Sequence, residues 1–135
     1  MNSFCITNDA SKLFFGNVQG VIKVLDICTS YTLVKTIFAY KGLVRWFGMS
    51  ICGKYLATIG STFDINATWL DSLKIWDLSA DANSPKLLYE KNFSQEVFCM
   101  KWYELAASNN QIKQRLPCIA VCMADKLEIE FIPIA

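Results

Sequence analysis

Apolar positions along the chain come in short runs. Leu13-Phe14-Phe15 stops at Gly16, Val21 to Asp26 follows Gly20, and Leu33 to Phe38 comes next. The series continues through Val44 to Met49, Tyr55 to Ile59, Leu73 to Asp77, Lys86 to Tyr89, Val97 to Trp102, Ile119 to Met123 and Leu127 to Phe131. These runs are rich in β-branched and aromatic residues, which suit a pleated, half-buried strand. Turn chemistry separates them at Asn8-Asp9-Ala10-Ser11, Asn17-Val18-Gln19-Gly20, Cys52-Gly53-Lys54 and Ala124-Asp125-Lys126. No segment carries a helical apolar stripe over ten or more residues. Gln95 to Ala107 comes nearest, but its aromatics and the β-like start at Val97 argue for strand. The pattern predicts an all-β chain of antiparallel meanders.

The pattern also repeats. Ala10 to Gly16 aligns with Cys52 to Ala57, and Val21 to Asp26 aligns with Ser72 to Asp77. The second unit is longer by Thr62 to Asp71, a mostly polar stretch that reads as an extended loop. A weaker third unit joins Cys99 to Trp102, Ile119 to Met123 and Lys126 to Ile129. Between its first two pieces, Tyr103 to Pro117 reads as an exposed loop carrying Lys113 and Arg115. The approximate units are 5–38, 43–92 and 97–132.

Two of these strands resemble the third strand of a WD40 repeat, which typically ends in Trp-Asp followed by an aliphatic residue. They are Gly20-Val21-Ile22-Lys23-Val24-Leu25-Asp26-Ile27 and Ser72-Leu73-Lys74-Ile75-Trp76-Asp77-Leu78. The second has Trp76-Asp77 literally; the first has Leu25-Asp26. Val44-Arg45-Trp46-Phe47, followed by Gly53-Lys54-Tyr55-Leu56-Ala57-Thr58, is similar to the family's opening strands and their turn. The resemblance covers about residues 5–132. It implies a partial or incomplete β-propeller of about three four-stranded blades, with Asp26, Gly53, Trp76 and Asp77 as structural repeat positions. It also implies a non-catalytic scaffold that assembles multiprotein complexes, with proteins or peptides as partners. The family's Gly-His pair is missing, and Tyr40-Lys41-Gly42 stands in the matching place before Val44. The chain has no histidine, so the family's usual His–Asp hydrogen-bond network cannot form.

Length sharpens the picture. The chain has 135 residues, enough for one ordinary domain. By resemblance the ring would hold seven blades of about 40 to 45 residues, so this chain supplies about three. An open arc exposes apolar blade faces and sheet edges. Three expectations follow: a piece or splice form of a larger propeller, a chain whose propeller is completed by another chain, or strands that close as a small barrel or sandwich. Phe4-Cys5-Ile6-Thr7 reads as a strand entering mid-domain and favours the first.

Composition mainly excludes. Lys and Arg number 13, Asp and Glu 12, and the formal net charge is +1. With 53% hydrophobic and 19% charged residues, the chain is neither a disordered acidic segment nor a basic nucleic-acid tail. The missing histidine removes the commonest general acid/base and the commonest metal ligand. Met1 to Cys5 shows no basic signal-peptide start, and no uncharged apolar run is long enough for a membrane span. The expected setting is intracellular, cytoplasmic or nuclear, without membrane. The six cysteines are then expected as buried thiols rather than disulfides.

The candidate residues are few. Asp26 and Asp77 read as turn-capping carboxylates rather than a catalytic pair, and Trp76 reads as core. Trp46 and Trp102 read as core between sheets, or as aromatic anchors for a peptide if displayed on a face. Lys41 and Arg45 could meet an acidic peptide or a phosphate. Together with Lys113 and Arg115 they complete the partner-binding candidates. Cys118 and Cys122 would lie about 13 Å apart along one strand, which is poor metal geometry. No phosphate loop and no hydrolase, protease or kinase signature occurs. The expectation is no enzyme, no metal and no cofactor. The alternative function is a structural subunit of a ribonucleoprotein, with scattered Lys and Arg touching RNA phosphates.

Overall fold

The computed structural model describes residues 4–63, 65–109, 112–124 and 126–131, with side-chain detail for all of these except 106–109, 112–115 and 129–131. Eleven strands follow one another: β1 (Phe4–Ile6), β2 (Lys12–Gly16), β3 (Val21–Asp26), β4 (Thr32–Phe38), β5 (Val44–Met49), β6 (Tyr55–Phe63), β7 (Trp69–Asp77), β8 (Lys86–Phe93), β9 (Val97–Asn109), β10 (Ile112–Met123) and β11 (Leu127–Phe131). They form three antiparallel meanders. The first sheet has order β1-β2-β3-β4, the second β5-β6-β7-β8 and the third β11-β10-β9. None closes into a barrel. The all-β, partial-propeller architecture therefore stands, although the third sheet has three strands among the described residues rather than four. No helix occurs among the described residues, so none is long and apolar enough to cross a membrane.

The sheets approach each other at their opening strands, where β5 contacts β1 and β2 on one side and β9 on the other. The second sheet is thus covered on both faces. Along β6 and β7, Leu56 and Trp76 point toward the first sheet and join Phe14, Ile22, Val24 and Phe47 in one apolar cluster. Ala57, Ile59, Leu73 and Ile75, one step out of phase, point toward the third sheet and join Val97, Trp102, Ile119 and Val121 in another. The strand period of two sorts one run of apolar residues into two cores.

Three expectations are corrected. Thr62 to Asp71 is not a loop of that length, because β6 runs to Phe63 and β7 starts at Trp69. Phe63 and Trp69 pair across the hairpin, edge to face, with ring centroids 4.7 Å apart. A cross-strand aromatic pair of this kind zips the hairpin past its buried part. Tyr103 to Pro117 is not a loop either. β9 and β10 pair from Val97 opposite Met123 to Asn109 opposite Ile112, with one slip between Cys122 and Met123. Ladder hydrogen bonds hold this hairpin, so a search for apolar runs passes over it. Finally, only Cys118 is buried among the six thiols; Cys28, Cys52 and Cys99 are exposed, and Cys5 and Cys122 half-buried. Cys28 and Cys52 lie in turns, where no second layer covers them.

Candidate functional site

The junction between the first and second sheets holds a closed polar chain. Tyr40 lies in the link between β4 and β5, and its backbone N–H donates to the Gly20 carbonyl at 3.0 Å. Gly20 has φ +84°, and a Cβ there would stand 2.1 Å from the Tyr40 carbonyl oxygen. A Cβ on Gly60 would strike the Tyr40 ring at 2.4 Å. Gly20 therefore makes room for the Tyr40 backbone and Gly60 for its ring. The Tyr40 hydroxyl donates to the Thr58 carbonyl at 2.9 Å and lies 2.8 Å from the Thr58 hydroxyl. Trp76 Nε1 donates to Thr58 Oγ1 at 3.0 Å. The Thr58 proton is then left to donate to the phenol oxygen, so every donor has an acceptor. Burial pushes the Tyr40 hydroxyl far above the usual phenol range and keeps it neutral. Lys74 caps the assembly: its amino group bonds the Ala39 carbonyl, lies 4.8 Å from the Tyr40 ring centre, and sits 3.6 Å from Glu90.

The junction between the second and third sheets holds charge instead. Asp71 on β7 is only 7% exposed. Its carboxylate accepts from Arg45 at 3.1 and 3.3 Å and from the Val97 backbone N–H at 2.7 Å. The other end of the Arg45 guanidinium meets Glu96 at 2.7 Å. Trp102 Nε1 donates to the Gly48 carbonyl at 2.8 Å, and its ring stacks on Tyr55. At the far side Lys91 pairs with Glu128 at 3.0 Å, and Lys126 joins at 2.9 Å. The Lys126 and Lys91 hydrogen bonds hold the Glu128 carboxyl below its usual range. Beside Arg45 and Asp71 opens a cavity of about 250 Å³, bordered by Trp69, Phe93 and Glu96.

The residues singled out in the sequence fall into separate places. Asp26 ends β3, pairs with Lys12 at 3.2 Å and accepts from the Cys28 backbone N–H at 2.9 Å; the Lys12 bond draws its pKa down. Asp77 ends β7 and accepts from the Ser79 N–H at 2.8 Å and hydroxyl at 2.6 Å, and these bonds draw its pKa down. Gly53, at φ +75°, turns β5 into β6, and a Cβ there would lie 2.8 Å from Asn8 Nδ2. Asn8 reaches across from the first sheet to donate to the Ile51 carbonyl at 3.3 Å. Trp76 and Trp102 are buried, and Trp46 is half-buried against the second core with its Nε1 lacking a partner among the described residues. Lys41 is exposed, its amino group 4.7 Å from the centre of the Phe63 ring. In β10, Lys113 stands opposite Ser108 and Arg115 opposite Ala106; their side chains lie outside the described residues.

Lys41 and Arg45 are thus joined through residues that the sequence reading missed. Phe63 and Trp69 lie between them, 38% and 57% exposed, with Asp71 and Glu96 behind. Alternation within 62–71 was the available signal for that hairpin. Tyr40, Thr58 and Asp71 carry no local signal, because their partners lie on other strands. Among the described residues no group of three or more His, Cys, Asp or Glu is placed to hold a metal ion. At the first junction the polar atoms of Tyr40, Thr58 and Trp76 bond one another, and at the second those of Arg45, Asp71 and Glu96 do.

The chain matches no protein-family profile and no curated protein by sequence. It does match solved structures in fold. Against the β-propeller domain of Cps50 (Swd1) from Myceliophteria thermophila, the TM-score is 0.59 at 14% identity, covering 96% of this chain and 36% of that one. Against a chain of the Mitotic Checkpoint Complex it is 0.58 at 16% identity, covering 98% of this chain and 39% of that one. Against the tricorn protease it is 0.53 at 8% identity, covering 89% of this chain and 13% of that one. At these identities the likeness is one of fold, and the fold is propeller-type. The chain spans less than two-fifths of the length of each of these proteins.

Proposed function

We propose that this chain is a non-catalytic protein-interaction scaffold, a part of a WD40-like β-propeller that works within a multiprotein assembly. The observation that carries this reading is the first sheet, which is apolar on both faces. Phe14, Ile22 and Val24 face the second sheet. By register, Phe4, Phe15, Val21, Leu25, Leu33 and Phe38 share the opposite face, where Lys23 and Thr36 are the polar interruptions. Phe38 is 83% exposed, Phe4 58% and Leu33 51%. An antiparallel sheet with one wet face alternates apolar and polar positions; this one does not. Contiguous apolar surface of this kind marks a face meant to be covered. Its occupant in this reading is a further β-sheet, from the remaining blades of a propeller in the same or another chain.

Peptide contacts fall on the end of the β6–β7 hairpin, where Lys41, Phe63 and Trp69 stand exposed above the Arg45 cavity. No observation favours the ribonucleoprotein alternative. Lys12, Arg45, Lys74, Lys91 and Lys126 all engage carboxylates of this chain.

Sedimentation and circular dichroism of the chain across a concentration series test the proposal. Concentration-dependent association is expected, with relief in the double variant Leu33→Asp, Phe38→Asp. A cooperatively folding monomer at every concentration overturns it.

A further inference from the structure

Cys99 on β9 and Cys122 on β10 are directly opposed in the antiparallel ladder of the third sheet. The pairs on either side of them, Val97 with Met123 and Met100 with Val121, point into the core against the second sheet. The two thiols therefore share the opposite, open face, where Cys99 is exposed and Cys122 half-buried. Directly opposed residues in an antiparallel pair have Cα atoms about 4.5 to 5.5 Å apart. A disulfide takes Cα separations of about 4.4 to 6.8 Å, so this backbone needs little adjustment to accept one. The ladder also slips between Cys122 and Met123, and such a bulge supplies local twist and slack beside the bond. No other pair of cysteines is in register among the described strands. Cys118 is buried on β10, and Cys28 and Cys52 lie in turns of different sheets.

We propose that Cys99 and Cys122 are a cross-strand dithiol that low-molecular-weight disulfides convert to an intramolecular disulfide, clamping β9 to β10. Cys99 begins, because it is the more exposed. Its thiolate attacks one sulfur of glutathione disulfide; that S–S bond breaks and one glutathione thiolate leaves. The Cys122 thiolate then attacks the Cys99 sulfur of the mixed disulfide and displaces the second glutathione. The two protons of the protein thiols pass by way of water to the two leaving glutathione thiolates, so the protein pair is oxidised by two electrons and the added disulfide is reduced to two thiols. Partial desolvation, and then the facing Cys122 thiol, hold the Cys99 thiol above its ordinary range. The first step accordingly speeds up as pH rises. This site is independent of the scaffold reading, which rests on the first sheet.

The test incubates the whole folded chain with glutathione disulfide, blocks remaining thiols with N-ethylmaleimide, and maps digested peptides by mass spectrometry. The expected product is a Cys99–Cys122 link that dithiothreitol reverses, while Cys28 and Cys52 carry stable glutathione adducts. Cys122→Ser should leave Cys99 as a lasting glutathione adduct, and Cys99→Ser should lose the link with an unchanged circular dichroism spectrum. A lasting adduct on Cys99 in the unaltered chain overturns the proposal. So does an unreacted Cys99 while Cys28 is labelled, or a link from Cys99 to any other cysteine.

Discussion

Where the first and second sheets meet, the polar atoms at the centre are uncharged. A phenol, a hydroxyl and an indole bond one another behind Leu56 and Phe14, and one lysine closes the edge. Where the second and third sheets meet, the centre is a buried carboxylate between a guanidinium and a backbone N–H, flanked by the Lys91–Glu128 pair. Both junctions bury an apolar cluster of similar make-up, so the difference lies in what happens to unsatisfied groups. A hydroxyl network that loses a member leaves a dipole unpaired. A buried ion pair that loses a member leaves a charge unpaired, which is worse.

Asp71→Ala is expected to have the largest effect. It strands Arg45 on its buried side and leaves the Val97 N–H without its acceptor, at a cost of about 3 kcal/mol. The urea midpoint reads this out, and a loss below that of Thr58→Val would reverse the ranking of the two junctions. Thr58→Val keeps the side-chain shape but removes the acceptor of the Trp76 indole, costing about 2 kcal/mol. Tyr40→Phe is milder, at about 1 kcal/mol, because Trp76 keeps its partner. The Trp76 indole resonance in an NMR spectrum should shift in Thr58→Val and hold nearer its place in Tyr40→Phe.

Response to pH should separate Glu128 from Tyr40 by sign, with smaller effects. Glu128 has a lowered pKa in the folded chain, so its contribution is present above the ordinary value of 4.5 and fades as pH falls through the lowered one. Tyr40 has a raised pKa, so its contribution is present below the ordinary value of 10 and is lost as pH climbs above it. Through Glu128, acid thus weakens the junction with the third sheet; alkali weakens the junction with the first through Tyr40, and acts on the other through Tyr55, whose pKa burial also raises. Unfolding midpoints across pH should lose part of the acid slope in Lys91→Met and part of the alkaline slope in Tyr40→Phe. Equal slopes in both variants would show that the two groups do not differ in this way.

Much of the fold was legible before any coordinates. Runs such as Val21 to Asp26 and Leu73 to Asp77 declare themselves as strands, because alternation and β-branched content are local properties. The resemblance to WD40 strands rested on the same local features, and the propeller-type fold agrees with it. The hairpin of β9 and β10 was less legible. Its outer half holds polar residues and Pro117, and pairing with a neighbour is not written in either strand alone. The candidate site was least legible. Lys41 and Arg45 stood out as charges, but Phe63 and Trp69 join them only through the register of β6 and β7.

By itself the sequence settled the type of each element and which positions alternate, since both follow from the geometry of a few adjacent residues. The hydroxyl network between the first and second sheets was a tertiary decision. Tyr40 can bond Thr58 only because Gly20 and Gly60 leave room for it and β6 brings Thr58 beneath the link after β4. The charge at the other junction was decided in the same way. Arg45, Asp71 and Glu96 are far apart in the chain; the pairing of β5 and β7 on either side of β6, and the link from β8 to β9, bring them within hydrogen-bond range, and the burial of Asp71 makes its pairing compulsory.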